Sequence, residues 1–171
     1  MASTYIVKGD SIQFNTNKSL LALFNTAASG KILRVYRVWL ANNQVSTVAS
    51  GGMAVIQLLR ITAASAGTPI VPKAFDTTAT ALGTVVAGTN MTVTDSSIFR
   101  RISWSYDEPT VQTGTNDEFE TFQFWSILWD TGYNDSNVEP LVLREGEGVS
   151  IKNTTTLTAN FIDCFIEFTV T

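Results

Sequence analysis

Apolar and polar side chains alternate along most of the chain with the period of two that is typical of β-strands. The clearest case is residues 160–171, where Ile162, Cys164 and Ile166 share one face and Phe161 and Phe165 share the other. The same pattern predicts strands at 11–15, 31–42, 53–62, 98–105 and 119–129. Residues 19–25 fit a strand or a helical turn, and 141–155 fit a hairpin of two strands around an EGEG turn.

These elements predict an all-β fold with eight or nine antiparallel strands and hardly any helix. We expect a single-domain β-sandwich, jelly-roll-like, over residues 1–171. Residues 63–97 are rich in threonine and alanine and predict a long excursion with short strands near 84–87 and 91–94. Its scattered apolar residues indicate that it docks against something, either its own chain or a neighbouring subunit.

Two arginines lie within the apolar strand at 31–42. Arg34 and Arg37 are three residues apart, and a regular strand sends such residues to opposite faces. A charge on an apolar face is costly unless it is paired. We therefore expect strand arginines to meet loop carboxylates, within or between subunits. Alternatively, the arginines lie at strand ends with buried stems and exposed heads.

Composition points to a covered surface. Charged residues make up only 15% of the chain and aromatic residues 11%, whereas about a quarter of an average protein is charged. A solvated surface rich in Thr, Ser and Asn is the alternative. Phe161 and Phe165 are placed among charges on the predicted outer face of their strand, where an isolated monomer gains nothing from them. The assembly-interface candidates are Arg34, Arg37, Trp39, Phe161 and Phe165.

Several function classes are disfavoured by what the chain lacks. It has no histidine, which excludes sites built on Ser-His-Asp, Cys-His or zinc-histidine sets. The single cysteine, Cys164, cannot form an intrachain disulfide and is predicted to be a buried apolar group. A net charge of −4 makes nucleic-acid binding improbable. We expect no signal peptide, no membrane span and no cofactor.

Catalytic and metal-binding candidates are weak. Two acidic groups lie in and beside the loop at 106–118 and could supply the paired carboxylates of a glycosidase. Carboxylates in such a loop are more often solvated turn residues. The residues are Asp107, Glu108, Asp117, Glu118 and Glu120. The loop after 129 offers oxygen ligands for calcium, but its spacing does not match an EF-hand, and such residues also form ordinary turns; they are Asp130, Asn134, Asp135 and Asn137. We expect no enzyme activity.

Aromatic residues offer a third kind of site. Tyr106 and Tyr133 lie in predicted loops and could bind a sugar ring through stacking and their hydroxyl groups. Trp125 and Trp129 share one face of a strand that is apolar on both sides, and are predicted to be core residues.

Three runs of the sequence resemble a group of small proteins encoded by tailed bacteriophages. They are SLLALFNTAASGKILRVYRVWLANNQ, IFRRISW followed by DEP, and EPLVLREGEGVSIKNT. The resemblance spans most of the chain outside 63–97. It implies a virion structural protein assembled in the host cytoplasm, either a capsid decoration (cement) protein or another accessory component of the head or tail. It also implies a homo-oligomer, commonly a trimer, with the major capsid protein or other virion proteins as partners.

Two other classes fit the same residues. A carbohydrate-binding module or adhesin would use Tyr106, Tyr133 and the acidic loops, with or without calcium. A self-assembling extracellular filament or sheath subunit would use strand addition at open sheet edges.

Overall fold

The fold is built from β-strands, as the alternation predicts. A computed structural model describes residues 3–43, 52–106, 125–132, 139–156 and 161–171. The strands are β1 (Ser3–Gln13), β2 (Ser19–Asn25), β3 (Leu33–Asn42), β4 (Gly52–Ser65), β5 (Thr68–Pro69), β6 (Lys73–Ala74), β7 (Val85–Thr89), β8 (Thr92–Tyr106), β9 (Trp125–Asp130), β10 (Leu141–Leu143), β11 (Glu147–Asn153) and β12 (Phe161–Val170). No helix occurs in these ranges.

The strands form two antiparallel sheets. Sheet A has the order β10-β3-β12-β1-β6, and β9 pairs with β3 beyond the end of β10. Sheet B has the order β5-β7-β2-β11-β4-β8. The inner faces of both sheets contribute to one core, in which Val38, Ile56, Leu23 and Ile166 are fully buried. The predicted all-β sandwich is confirmed.

The strand count is higher than the eight or nine that the sequence predicts. The described residues contain twelve strands, and β5 and β6, which have two residues each and come from the excursion, account for part of the difference. The first strand also begins at Ser3 rather than at 11, since residues 3–9 pair with β12 ahead of a bulge.

The excursion at 63–97 docks on its own chain. Its segments β5 and β7 extend sheet B at β2, and β6 extends sheet A at β1. The Tyr5 hydroxyl donates to the Thr80 carbonyl at 2.9 Å, which ties the excursion to the core strand β1. The predicted short strands are present at 85–89 and from 92, the second continuing into one long strand, β8.

The predicted hairpin at 141–155 is wrong. Its two strands exist, but β10 pairs with β3 in sheet A and β11 pairs with β2 and β4 in sheet B. The turn therefore carries the chain from one sheet to the other. Buried Asn25 anchors the crossing. Its side-chain amide donates to the Leu143 carbonyl, and its backbone carbonyl accepts from the Gly146 N–H. Gly146 has φ +75°, the left-handed conformation that favours glycine.

Arg60 links the two sheets along one side of the core. It lies in β4 of sheet B and donates to the Val142 carbonyl of sheet A at 3.2 Å. Its guanidinium also pairs with Glu147 at 2.9 Å and lies over the Phe99 ring. A strand arginine thus meets a carboxylate within one chain, although Glu147 is the first residue of β11 rather than part of a loop.

Candidate functional site

A β-bulge sets which residues of β3 face outward. Glu167 of β12 lies opposite Arg37 and Phe168 lies opposite Val35, so Tyr36 is an extra residue in β3. The extra residue reverses the alternation, and Val35 and Val38 both point into the core. Arg34 and Arg37 consequently lie on the same outer face of sheet A. The prediction that they occupy opposite faces is wrong, because it assumed a regular strand.

Trp39 covers Phe165 on this outer face. The two rings stack across β3 and β12 with centroids 3.6 Å apart and planes inclined by 4°. Lys8 of β1 lies 5.5 Å from the Phe165 ring centre on the other side. Phe165 is therefore only 7% exposed, and the expectation that it would be uncovered in a single chain is wrong.

Arg37 is held in a network of ion pairs within the chain. Its Nε lies 2.8 Å from Asp130 Oδ2, and its Nη1 lies 3.9 Å from Glu167 Oε2. The second oxygen of Asp130 accepts the Gly132 N–H at 2.7 Å. Both carboxylate oxygens of Asp130, a calcium candidate, thus have partners, one in Arg37 and one in the Gly132 N–H. Arg37 thus meets a carboxylate within the chain, although Asp130 is the last residue of β9 rather than part of the predicted loop.

A second bulge shapes the opposite end of the same face. Asp10 and Ser11 of β1 together lie opposite Asp163 of β12, and Ser11 adopts φ +49°. One oxygen of Asp163 accepts from the Ser11 N–H at 2.7 Å and from the Asn43 amide at 2.6 Å. The neighbouring Lys8 pairs with Asp10 at 2.6 Å. This hydrogen bond raises the pKa of Lys8, against the opposing effect of desolvation.

Two exposed aromatic side chains complete the face. Trp125 is 57% exposed and lies opposite Ala41, where β3 ends; Phe161 is 37% exposed at the start of β12, at the same end of the sheet. The prediction that Trp125 is a core residue like Trp129 is wrong. Leu128 is an extra residue in β9, so Trp129 packs against the core while Trp125 faces solvent.

We call this surface the aromatic face and define it by six residues on the outer side of sheet A. They are Arg34, Arg37, Trp39, Trp125, Phe161 and Phe165. All five residues singled out from the sequence as assembly candidates belong to it. Sequence reasoning missed Trp125, because a bulge leaves no signal in the apolar pattern.

Most of the remaining candidates lie outside the described residues. Tyr133, Asn134, Asp135 and Asn137 lie outside the described residues, as do the five candidate catalytic carboxylates, Asp107, Glu108, Asp117, Glu118 and Glu120. Tyr106 ends β8, and the position of its ring is also outside the description. Among the residues that the structure does describe, no three acidic, cysteine or histidine side chains are grouped to hold a metal ion.

Cys164 is buried in the core rather than placed at a site. Burial raises the pKa of its thiol well above the usual value, and the charge of neighbouring Asp163 adds to this. The group stays a protonated thiol, which is a poor nucleophile.

Comparison with known proteins adds no identification. No family model, curated protein or solved structure matches the chain. In the described ranges, no helix has the length and apolar character needed to cross a bilayer.

Proposed function

We propose that the chain is a non-enzymatic virion structural protein, a capsid decoration (cement) protein or another accessory component of the head or tail. It stabilises the particle by burying the aromatic face against other subunits. The observation that carries this proposal is the convergence of the assembly candidates on one sheet face, next to an exposed tryptophan. Exposed aromatic groups of this kind are enriched at subunit contacts.

The surroundings of the exposed rings support assembly at this place. Trp125 and Phe161 lie at one end of a sheet whose other side is the core, so they rest on a rigid support. Other large exposed apolar side chains lie elsewhere in the described residues: Met53, Val86 and Ile98 in sheet B, Ile32 just before β3, and Val71 and Phe75 in the excursion. Single exposed apolar residues are ordinary on protein surfaces, whereas two large rings at the same end of one sheet face favour a contact there.

Charge supports an outer position in the particle. The net charge is −4, and packaged DNA would repel such a chain. The proposed partners are further copies of the chain and the major capsid protein or other virion proteins. The jelly-roll connectivity and a trimeric state, both implied by the resemblance, belong to this proposal.

The test is the molar mass of the purified protein in solution, measured by light scattering after size exclusion, with and without a chelator. We expect a closed oligomer, with three times the 18.6 kDa of the chain for a trimer, that a chelator does not dissociate. The double variant W125S/F161S should give monomers. The matched control M53S/I98S removes two apolar groups of sheet B that are at least as exposed and should keep the oligomer.

A wild-type monomer at all concentrations would contradict the proposal. It would favour the second candidate, a carbohydrate-binding module, which the exposure of Trp125 supports, because an open indole ring can stack on a sugar. Binding to a glycan array that W125A abolishes and M53A retains would establish that alternative.

A further inference from the structure

The charges on the central strands of the aromatic face are mostly neutralised within the chain. On β1, β3, β9 and β12, Lys8 pairs with Asp10, while Arg37 pairs with Asp130 and more distantly with Glu167. Two charges are left over in the described part of these strands. They are Arg34, which makes no ion pair there, and Asp163, which accepts hydrogen bonds from neutral donors and is attracted by Lys8 without forming an ion pair with it.

The two leftover charges lie at opposite ends of the face. Arg34 is aligned with Thr169 of β12 and Val142 of β10, and Asp163 is aligned with Ala41. Six regular steps separate these positions once the bulge residue is set aside, which corresponds to about 20 Å along the strands. The two groups are too far apart to pair within one chain, and water and salt screen them at that distance.

We propose that a second copy of the chain occupies the aromatic face, and that Arg34 of one copy pairs with the acidic end of the other, at Asp163. This inference rests on the proposed function and adds the partner and the contact. Copies of the chain supply the missing charges, because each carries one of each sign, and in a closed trimer Arg34 of each copy meets Asp163 of the next. Trp125 and Phe161 flank Asp163 and are buried by the same contact.

The contact also explains the choice of arginine at position 34. A guanidinium offers several N–H donors in a rigid plane and is desolvated more easily than an ammonium group. Asp163 is held in place by the Ser11 N–H and the Asn43 amide, both on the same oxygen, Oδ1. Its other oxygen, Oδ2, accepts no hydrogen bond from the described residues and is the one that the partner's arginine would use.

The test is the concentration dependence of the oligomer, measured by light scattering, for R34E and for a matched variant. We expect R34E to weaken association at least about tenfold. R100E makes the same charge change on an exposed arginine of β8 in sheet B and should leave association unchanged. D163N keeps an oxygen for Ser11 and Asn43 but removes the charge, and should weaken association as R34E does.

Charge exchange gives the decisive result. R34E/D163K restores the attraction with the signs reversed and should associate more tightly than R34E alone, with folding checked by thermal melting. If R34E and D163N both keep the wild-type mass at every dilution while W125S/F161S dissociates, the ion pair is refuted. The aromatic face would then still be the contact surface between copies. If the wild-type chain is a monomer, the ion pair and the proposed function are both refuted.

Discussion

Trp39 and Phe165 stack face to face on the outside of sheet A, one in β3 and one in β12, with ring centroids 3.6 Å apart. The stack makes an outward-facing phenylalanine one of the buried residues of the chain. It also provides the flat, rigid floor beside which Trp125 and Phe161 are exposed. One aromatic pair therefore contributes to stability within the chain, and its exposed neighbours are left for contacts between chains.

Removal of Phe165 should destabilise the fold although the residue lies on the outer face. F165A should lower the free energy of unfolding by about 3 kcal/mol, because a buried ring is lost and Trp39 no longer has a partner. F161A, at a residue 37% exposed on the same strand, should cost about 1 kcal/mol or less. Urea unfolding measures both; equal costs would show that the stack contributes nothing.

The Arg60 link between the sheets should be worth more than a surface ion pair. R60A leaves the Val142 carbonyl and Glu147 without their shared partner and uncovers Phe99, so we expect a loss of about 2 kcal/mol. R100A removes an exposed arginine of the neighbouring strand and should change stability by about 0.5 kcal/mol at most. A loss for R60A no larger than that of R100A would mean that the sheets are held by the core alone.

Replacing an alanine that has a left-handed backbone conformation should stabilise the protein. Ala28 has φ +59° in the exposed turn between β2 and β3, a conformation that costs an L-residue about 1 kcal/mol. A28G should therefore raise the melting temperature in spite of the greater freedom of glycine in the unfolded chain. A27G, at an exposed position next to it without positive φ, should lower or keep it. A lower melting temperature for A28G would contradict the backbone geometry.

Alkaline pH should destabilise the protein through Cys164. The folded state raises the pKa of this thiol above its usual 9.0, chiefly by desolvation, so the native chain keeps a proton that the unfolded chain loses. The contribution to stability is complete below pH 9 and is lost as the pH rises above it. Between pH 8 and pH 10 the melting temperature should fall further for the wild type than for C164A. Parallel curves for the two proteins would show that the thiol does not titrate on unfolding.

The fold class could be predicted because alternation is a local signal. Strand β12 shows this best, since Ile162, Cys164, Ile166 and Phe168 are all fully buried, as the period of two requires. The partners of each strand, and therefore the sheet to which it belongs, could not be predicted in the same way. The turn at 144–147 has the composition of a hairpin, and only the three-dimensional pairing of β10 with β3 and of β11 with β2 and β4 shows that it joins the two sheets.

The sequence predicted which residues belong to the candidate site better than it predicted how they are arranged. Five residues of the aromatic face were named from apolar and charged outliers in two strands. Their common orientation depends on the bulge at Tyr36, and the exposure of Trp125 depends on the bulge at Leu128. Each bulge moves every later side chain to the other face. A bulge arises from the pairing of two strands, so neither strand's own sequence reveals it.

The central claim is that the aromatic face is covered in the assembled protein, and hydroxyl-radical footprinting tests it most directly. Oxidation of Trp125 and Phe161 is measured by mass spectrometry at a concentration where the oligomer forms and again after dilution. The account predicts that both side chains are protected in the oligomer and react on dilution, while Met53 on sheet B reacts equally in both states. Trp125 and Phe161 reacting equally in both states would contradict it.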